Sequence, residues 1–290
     1  MRTVLVPTDF SKPSRNAAYF ALHMAIALKA DLHLCNAYTV PAESPMMGGV
    51  SWALYDSIDL QKDVEKGLKK FAKTLEKKEI VLSTDQPEAF HPTITYSYAQ
   101  ENLETLIQKT AASTETILTV MGMTGAGNLN RLVFGSSSLH MIEKTHTPLL
   151  IIPHHHRYKP IAKIAFATDL SKEDKKTVMS LAKLADYFNA ELLIAHVKGF
   201  IDLLDEKAYQ HKIETFIKGI EDKIKYLQME AESVDSGLDD LRSGDLDLLV
   251  MGHQHKDFFD RLTMGSHSRR QTRKLHIPLM VIPTGMPVLF

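Results

Sequence analysis

Two short stretches decide the fold, "RTVLVPTDFSK" at residues 2–12 and "AKIAFATDLSK" at residues 162–172. Each consists of an apolar run of strand formers, then Thr-Asp, then Ser-Lys. In the first stretch Ser11 is a good helix N-cap, and the following Pro13 falls in the first helical turn, where a missing N–H costs little. Apolar residues at helical spacing and a second apolar run, "LHLCNAY", complete the segment. The sequence therefore predicts a strand–helix–strand unit that occurs twice.

A second block of the chain is also repeated. Residues 118–153 align with residues 248–283, and both blocks end on an apolar strand closed by Ile-Pro. Two matched blocks in the same order indicate a duplicated domain, whereas a solenoid has a repeat of about 20 to 50 residues. The polar stretch "HHHRYKP", residues 154–160, is typical of a linker. We therefore expect a first half at residues 1–153 and a second half at residues 161–290.

Strands and helices alternate within each half. After the first unit, the first half is predicted to contain a helix near 61–78, a strand near 94–98, a helix near 101–112, a strand ending at Met121, a helix from about Ser136 and the last strand "LLIIP". Such alternation is typical of a parallel sheet with helices on both faces, so the fold class is α/β. Ligands bind outside the carboxyl ends of such strands. Asp9, after the first strand, and Gly122, after the fourth, should therefore face one crevice.

The composition excludes several classes of partner. The chain has 34 basic and 35 acidic side chains, so no global charge steers it toward nucleic acid or a membrane surface. No stretch approaches the roughly 20 apolar residues of a membrane span. The single cysteine, Cys35, lies in an apolar run, which indicates a buried, inert thiol in a reducing compartment. We therefore expect a soluble cytoplasmic protein.

Residues 121–138, "MGMTGAGNLNRLVFGSSS", begin with glycines that suit a phosphate cradle. Gly122 lets the backbone leave the sheet with no side chain in the way. Gly125 can adopt a positive φ that turns backbone N–H groups inward. The start of this stretch therefore has the backbone freedom that a bound anion requires.

The same stretch ends with residues that open a helix. Behind Gly135 come Ser136 and Ser137, and the unpaired N–H groups and positive dipole end of a helix attract phosphate. The two hydroxyls add further donors. The intervening residues would form a flap that carries Arg131.

The pattern G-x2-G-x9-G-[ST], with an aspartate after the first strand and a proline-terminated last strand, resembles the universal stress protein family in its tandem-domain form, over nearly all of both halves. The resemblance implies two open five-stranded parallel sheets of order 3-2-1-4-5, of the nucleotide-binding α-hydrolase-like type. It also implies bound ATP or AMP, with Mg²⁺ bridging phosphate oxygens and Asp9 as an indirect metal ligand. Pro7, Thr8 and Asp9 would line the ribose and adenine side, and Val40 would touch the base. The phosphates would be held by Gly122, Met123, Gly125, Gly135, Ser136 and Ser137.

The second half departs from this pattern. His255 stands where the first half has Gly125, and His267 stands where it has Ser137. A histidine at a glycine position is strained at positive φ and fills space, so a phosphate cradle there is disfavoured. We therefore expect the nucleotide in the first half. The histidines of the second half could instead gather around a metal, although no acidic or cysteine partner has the usual ligand spacing.

Three functions follow from these features. A nucleotide-binding regulatory protein of the stress response is favoured, because nothing beyond Asp9 is available as a base, so that hydrolysis would at most be slow. An adenylating enzyme would carry a serine- and glycine-rich loop after the first strand, where this chain has "PTDFSKPS". The third function is a scaffold that binds no nucleotide and works through its interfaces.

The last strand of each half bears on assembly. "PLLIIP" and "PLMVIP" are apolar sheet edges that need cover, and we expect them to pair with each other. A homodimer of two such chains is compatible with this pairing, but the sequence does not set the number of chains.

Overall fold

The structure is a computed structural model that describes residues 1–39, 50–84, 88–123, 141–142, 144–198, 206–219, 224–230, 245–252 and 277–283. These residues form two compact units, which comprise residues 1–121 and 122–290. The division lies before the predicted linker. Its position follows from a strand of the first half, Leu149–Ile152, that pairs with a strand of the second half.

The first unit is a parallel sheet with helices. Its described elements are, in chain order, β1 (Arg2–Pro7), α1 (Lys12–Leu28), β2 (Asp31–Ala37), α2 (Val50–Ser83), β3 (Ile94–Ala99), α3 (Leu103–Ser113) and β4 (Glu115–Gly122). The strands are arranged in the order β3-β2-β1-β4. In this register Pro7 lies opposite Cys35, and Leu5 lies opposite Thr119. The carboxyl ends of β1 and β4 therefore lie at the same edge of the sheet.

The second unit contains a mixed sheet. Its described elements are β5 (Leu149–Ile152), β6 (Lys163–Ala167), α4 (Lys172–Phe188), β7 (Glu191–Lys198), α5 (Glu206–Ile217), β8 (Lys225–Glu230), β9 (Leu248–Gly252) and β10 (Leu279–Ile282). The strand order is β5-β10-β9-β6-β7-β8, and β6 to β10 are parallel. Strand β5 runs antiparallel to β10, with Ile151 opposite Leu279.

The predicted α/β class is confirmed, but the strand arrangement differs from two separate five-stranded sheets. Strand β5 adds an antiparallel sixth strand to the sheet of the second unit. All four residues of β5 and all four of β10 are buried. Apolar edges of this kind expose unpaired backbone groups unless another strand covers them, which is the physical reason for the pairing.

Helix α1 begins as its sequence predicts. The side chain of Ser11 accepts a hydrogen bond from the N–H of Ser14, and a proline lies in the first turn. The helix ends at Leu28, and the next residue, Lys29, has left-handed φ and ψ angles and donates its N–H to carbonyls of the last turn. Its apolar face, including Ala18 and Leu22, is fully buried. The start of α1 is therefore fixed directly behind the end of β1.

No helix among the residues that the structure describes is long and apolar enough to cross a lipid bilayer.

Candidate functional site

The structure describes five of the eleven predicted site residues. These are Pro7, Thr8, Asp9, Gly122 and Met123. The other six lie outside the described residues: Val40, Gly125, Arg131, Gly135, Ser136 and Ser137. The segment predicted to cradle phosphate is therefore known from its sequence, and the turn after β1 is known from its geometry.

A tightly hydrogen-bonded turn connects β1 to α1. The N–H of Thr8 donates to the carbonyl of Cys35 at 2.8 Å, which extends the pairing of β1 with β2 by one residue. The Thr8 hydroxyl accepts the N–H of Phe10 at 3.1 Å, and Phe10 has a φ of 62°. A carboxylate oxygen of Asp9 accepts the N–H of Ser11 at 3.0 Å. These bonds hold a non-glycine residue in the left-handed region, which is otherwise unfavourable.

Two buried side chains, those of Asn36 and Ser14, stabilise this turn. The amide nitrogen of Asn36 donates to the carbonyl of Thr8 at 2.7 Å, in a buried position at the end of β2. The hydroxyl oxygens of Thr8 and Ser14 are 3.1 Å apart and also buried. Both polar groups of the Thr8 backbone and its hydroxyl therefore have partners within the protein, while the carboxylate of Asp9 faces solvent.

The environment of Asp9 keeps its carboxylate ionised. Burial alone would raise the pKa of Asp9, but hydrogen bonds from the side chains of Ser11 and Ser14 and from the N–H of Ser11 hold that pKa below its ordinary value. An exposed anion at the end of β1 can accept hydrogen bonds from hydroxyl groups or attract a hydrated cation. A carboxylate does not attract phosphate directly, since both groups are negatively charged.

The described end of the glycine segment leaves the sheet at the end of β4. Gly122 is the last residue of this strand and is half-buried. The next residue, Met123, is buried and donates its N–H to the carbonyl of Ile152 at 2.9 Å. Met123 is thus held by β5, and the chain enters the glycine segment from a fixed position.

The second half builds the same turn from its own residues. Thr168 donates its N–H to the carbonyl of Ala195 at 3.0 Å and accepts the N–H of Leu170 on its hydroxyl at 2.9 Å. Leu170 also has a φ of 62°, and Asp169 accepts the N–H of Ser171 at 2.9 Å. The recurring Thr-Asp pair therefore has a structural role in both halves, whether or not a ligand is bound.

The supporting residues differ between the halves. In the second half the hydroxyl of Thr168 donates to the carboxylate of Asp174 at 2.6 Å, and the Nδ1 atom of His196 lies 2.8 Å from the Thr168 carbonyl. Both Asp174 and His196 are buried. Asp174 thus places a carboxyl group where the first half has the hydroxyl of Ser14.

In the second unit the carboxyl ends of β6 and β9 lie at the same edge of the sheet. Ala167, the last residue of β6, lies opposite Met251 in the register of β6 with β9. Thr168 follows Ala167, and Gly252, the last residue of β9, follows Met251, so both residues lie at this edge of the sheet. His255 and His267, which replace glycine and serine in the second half, lie outside the described residues.

Sequence reasoning missed Asn36 and His196, because each lies in an apolar strand. Aligning the two strand–helix–strand units places Asn36 over His196, and both are polar residues at the end of the second strand. This shared polar position was the signal in the sequence that could have identified the two residues. Its role follows only from the register of β1 with β2, which places Cys35 opposite Pro7 and so brings the next residue, Asn36, close to Thr8.

Comparison with known proteins identifies relatives of both halves. The model of the universal stress protein family matches residues 1–153 and 160–283. A universal stress protein of Methanocaldococcus jannaschii is 27% identical over 154 residues, which is 52% of this chain and 81% of that protein.

A solved structure shares the fold over nearly the whole chain. A universal stress protein of Archaeoglobus fulgidus has a TM-score of 0.68 at 16% identity, and the match covers 97% of this chain and 98% of that one. A universal stress protein solved in complex with cAMP has a TM-score of 0.35 at 21% identity, and the match covers 52% of this chain and 96% of that one.

Proposed function

We propose that this chain, which belongs to the universal stress protein family, binds ATP or AMP in its first half and acts as a regulatory protein of the stress response. Pro7, Thr8 and Asp9 would contact the nucleoside, together with Val40. The phosphates would be held by Gly122, Met123, Gly125, Gly135, Ser136 and Ser137, with Arg131 on the covering flap. Mg²⁺ would bridge the phosphate oxygens.

The observation that carries this proposal is the exposed, ionised carboxylate of Asp9 on a turn that is fixed by hydrogen bonds. The hydroxyls of a ribose are suitable donors to such a carboxylate, and a fixed acceptor loses little entropy when it binds them. Strand β4, which lies beside β1, leads directly into the glycine and serine pattern of the first half. The sequence thus places hydrogen-bond donors for phosphate after β4 and an acceptor for ribose, Asp9, after the neighbouring strand β1.

The proposed role is regulatory because the described residues of the turn do not include a second group to activate water. Asp9 is ionised, but its carboxylate is already hydrogen-bonded to Ser11. Hydrolysis also requires a group that positions the attacking water. We therefore expect binding without rapid turnover.

Isothermal titration of the full chain with ATP, with and without Mg²⁺, tests the proposal. We expect saturable binding at one site per chain, and we expect Gly125→Arg to abolish it, because the arginine side chain would fill the cradle. His255→Arg places the same side chain at the corresponding position of the second half and should leave binding unchanged. Absence of saturable binding by the unmodified chain would overturn the nucleotide assignment.

The same variants localise the site. If Gly125→Arg binds ATP as tightly as the unmodified chain, the nucleotide does not lie against the glycine segment of the first half. Product analysis by mass spectrometry after incubation with ATP and Mg²⁺ separates the regulatory protein from an enzyme. Many turnovers per minute would contradict the regulatory role.

A further inference from the structure

Asn36 is placed to control the geometry of the proposed nucleotide site. This residue is 7% exposed, and its side-chain amide nitrogen donates to the carbonyl of Thr8 at 2.7 Å. The N–H of Thr8 is already bound to the carbonyl of Cys35. Strand β2 therefore holds both polar groups of the Thr8 backbone, one through its own backbone and one through the Asn36 side chain.

The second half repeats this bond with a different residue. The Nδ1 atom of His196 lies 2.8 Å from the carbonyl of Thr168, and the contact is buried. Because a carbonyl only accepts, Nδ1 must carry the proton and donate. A carboxamide and an imidazole thus make the same hydrogen bond at the same place, so the bond is the shared feature, not the residue type.

The held carbonyl determines where Asp9 points. Thr8 precedes Asp9, and the Thr8 hydroxyl accepts the N–H of Phe10, so the residues on both sides of Asp9 are anchored. If the carbonyl of Thr8 were released, the peptide between Thr8 and Asp9 could rotate. The left-handed conformation at Phe10, which is unfavourable without support, would then be easier to lose.

We infer that Asn36 is a positioning residue, which fixes the Thr8–Asp9 turn and through it orients the Asp9 carboxylate toward the ligand. The ligand part of this inference rests on the proposed function. The positioning part depends only on the described geometry of the turn.

The test uses two substitutions of Asn36, of which one removes the hydrogen-bond donor and the other replaces it. Asn36→Leu keeps a similar volume and removes the donor. Asn36→His provides a donor that makes this bond in the second half. Two local readouts are measured on the full chain: amide hydrogen exchange at Phe10 and Ser11, and the dissociation constant for ATP. The melting temperature is recorded for each variant to detect general destabilisation.

We expect Asn36→Leu to accelerate exchange at Phe10 and Ser11 and to weaken ATP binding, each about tenfold, as for the loss of one buried hydrogen bond. Asn36→His should restore both. His196→Leu should accelerate exchange at Leu170 and Ser171 while leaving ATP affinity unchanged.

Unchanged exchange at Phe10 and Ser11 in Asn36→Leu would overturn the positioning role. Restored exchange without restored affinity in Asn36→His would also overturn it, because Asn36 would then act by direct contact with the nucleotide. If the unmodified chain binds no ATP, the proposed function fails, and the exchange rates still decide whether Asn36 holds the turn.

Discussion

The ring of Phe10 lies against the backbone of Gly67. A Cβ atom placed on Gly67 would be 2.9 Å from the Cζ atom of Phe10, which is closer than real Cβ contacts. Gly67 lies within α2, so its lack of a side chain lets this helix approach the turn that carries Asp9. The turn of the first half is therefore supported by a helix as well as by β2.

The second half makes the corresponding contact with different residues. The buried faces of the two helices have the same spacing, formed by Val64, Leu68 and Phe71 in α2 and by Tyr209, Ile213 and Phe216 in α5. Gly67 then corresponds to Lys212, whose Nζ atom donates to the carbonyl of Asp169 at 2.7 Å. The smaller Leu170 stands where the first half has Phe10. The half with the larger residue after the aspartate thus has glycine at the facing helix position, and the half with the smaller residue has lysine there.

Gly67→Ala is expected to destabilise the protein by about 1 kcal/mol. Alanine in a helix gains up to about 1 kcal/mol over glycine, but overpacking against the ring of Phe10 costs about 1–3 kcal/mol. In a Phe10→Leu background the clash disappears, and the same substitution should stabilise by about 0.5–1 kcal/mol. Urea unfolding of the four proteins of this cycle measures the coupling. Equal effects of Gly67→Ala in both backgrounds would contradict the contact.

Local signals in the sequence predicted the strand–helix–strand units well. Ser11 was expected to cap α1 from residue type and position alone, and its side chain makes the capping bond. Helix α2 was less well predicted, since it spans Val50–Ser83 whereas the spacing predicted residues 61–78. Its first residues follow the stretch "PMMGG" at residues 45–49, whose proline and glycines do not favour a helix. Residues 40–49, which precede this helix, lie outside the described residues.

Contacts between residues that lie far apart in the chain could not be predicted from the sequence. The support of Thr8 by Asn36 depends on strand register, and the approach of Gly67 to Phe10 depends on how α2 packs on the turn. Neither residue lies in a recognisable motif. Aligning the two halves reveals such contacts, because aligned positions that hold different residues still make equivalent hydrogen bonds.

Asp247→Ala is expected to destabilise the second unit by about 2–3 kcal/mol. One carboxylate oxygen of Asp247 accepts the N–H groups of Ala162 and Lys163 at 2.8 and 2.9 Å, and the other is 2.7 Å from Nζ of Lys159. The side chain of Asp247 is 9% exposed, so its loss leaves donors without this partner. Asp245→Ala is the matched control, since the side chain of Asp245 is 87% exposed. It should change stability by less than about 0.5 kcal/mol in urea unfolding.

The contribution of Asp247 should also depend on pH. Burial alone would raise its pKa, but hydrogen bonds from Lys159, Ala162 and Lys163 hold the pKa below its ordinary value of 3.8. The stabilisation is therefore complete above pH 3.8 and is lost as the pH falls through the lower folded-state pKa. The difference between the unmodified chain and Asp247→Ala should shrink over that range. A constant difference would contradict the ionised state of Asp247.

Cys35 is expected to be unreactive in the folded protein. It is completely buried in β2, and burial raises the pKa of its thiol to about 12. At pH 8 the thiolate is therefore almost absent and inaccessible to a thiol reagent. Ellman's reagent should detect no thiol in the native chain and one thiol in urea. A Lys73→Cys variant, with its cysteine on the exposed side of α2, should react at once. Fast labelling of the native unmodified chain would contradict the buried position.

His23 should make stability sensitive to mild acid. Burial, and then the nearby charge of Lys78, lowers the pKa of His23 from its ordinary value of 6.5 to about 4. The folded state thus binds fewer protons than the unfolded state between these values, so stability is complete above pH 6.5 and falls as the pH decreases toward 4. The full shift corresponds to about 3 kcal/mol, which solvent screening at this half-buried position reduces to about 1–2 kcal/mol.

Urea unfolding between pH 7 and pH 4.5 measures this loss. His23→Gln removes the titrating group, so the variant should lose about 1–2 kcal/mol less stability than the unmodified chain over that range. Lys78→Met is the matched second variant. It keeps His23 and removes a positive charge, so the pKa of His23, followed by NMR titration, should rise without reaching 6.5, because burial is the larger cause. A normal pKa for His23 in the unmodified chain would show that its ring is solvated.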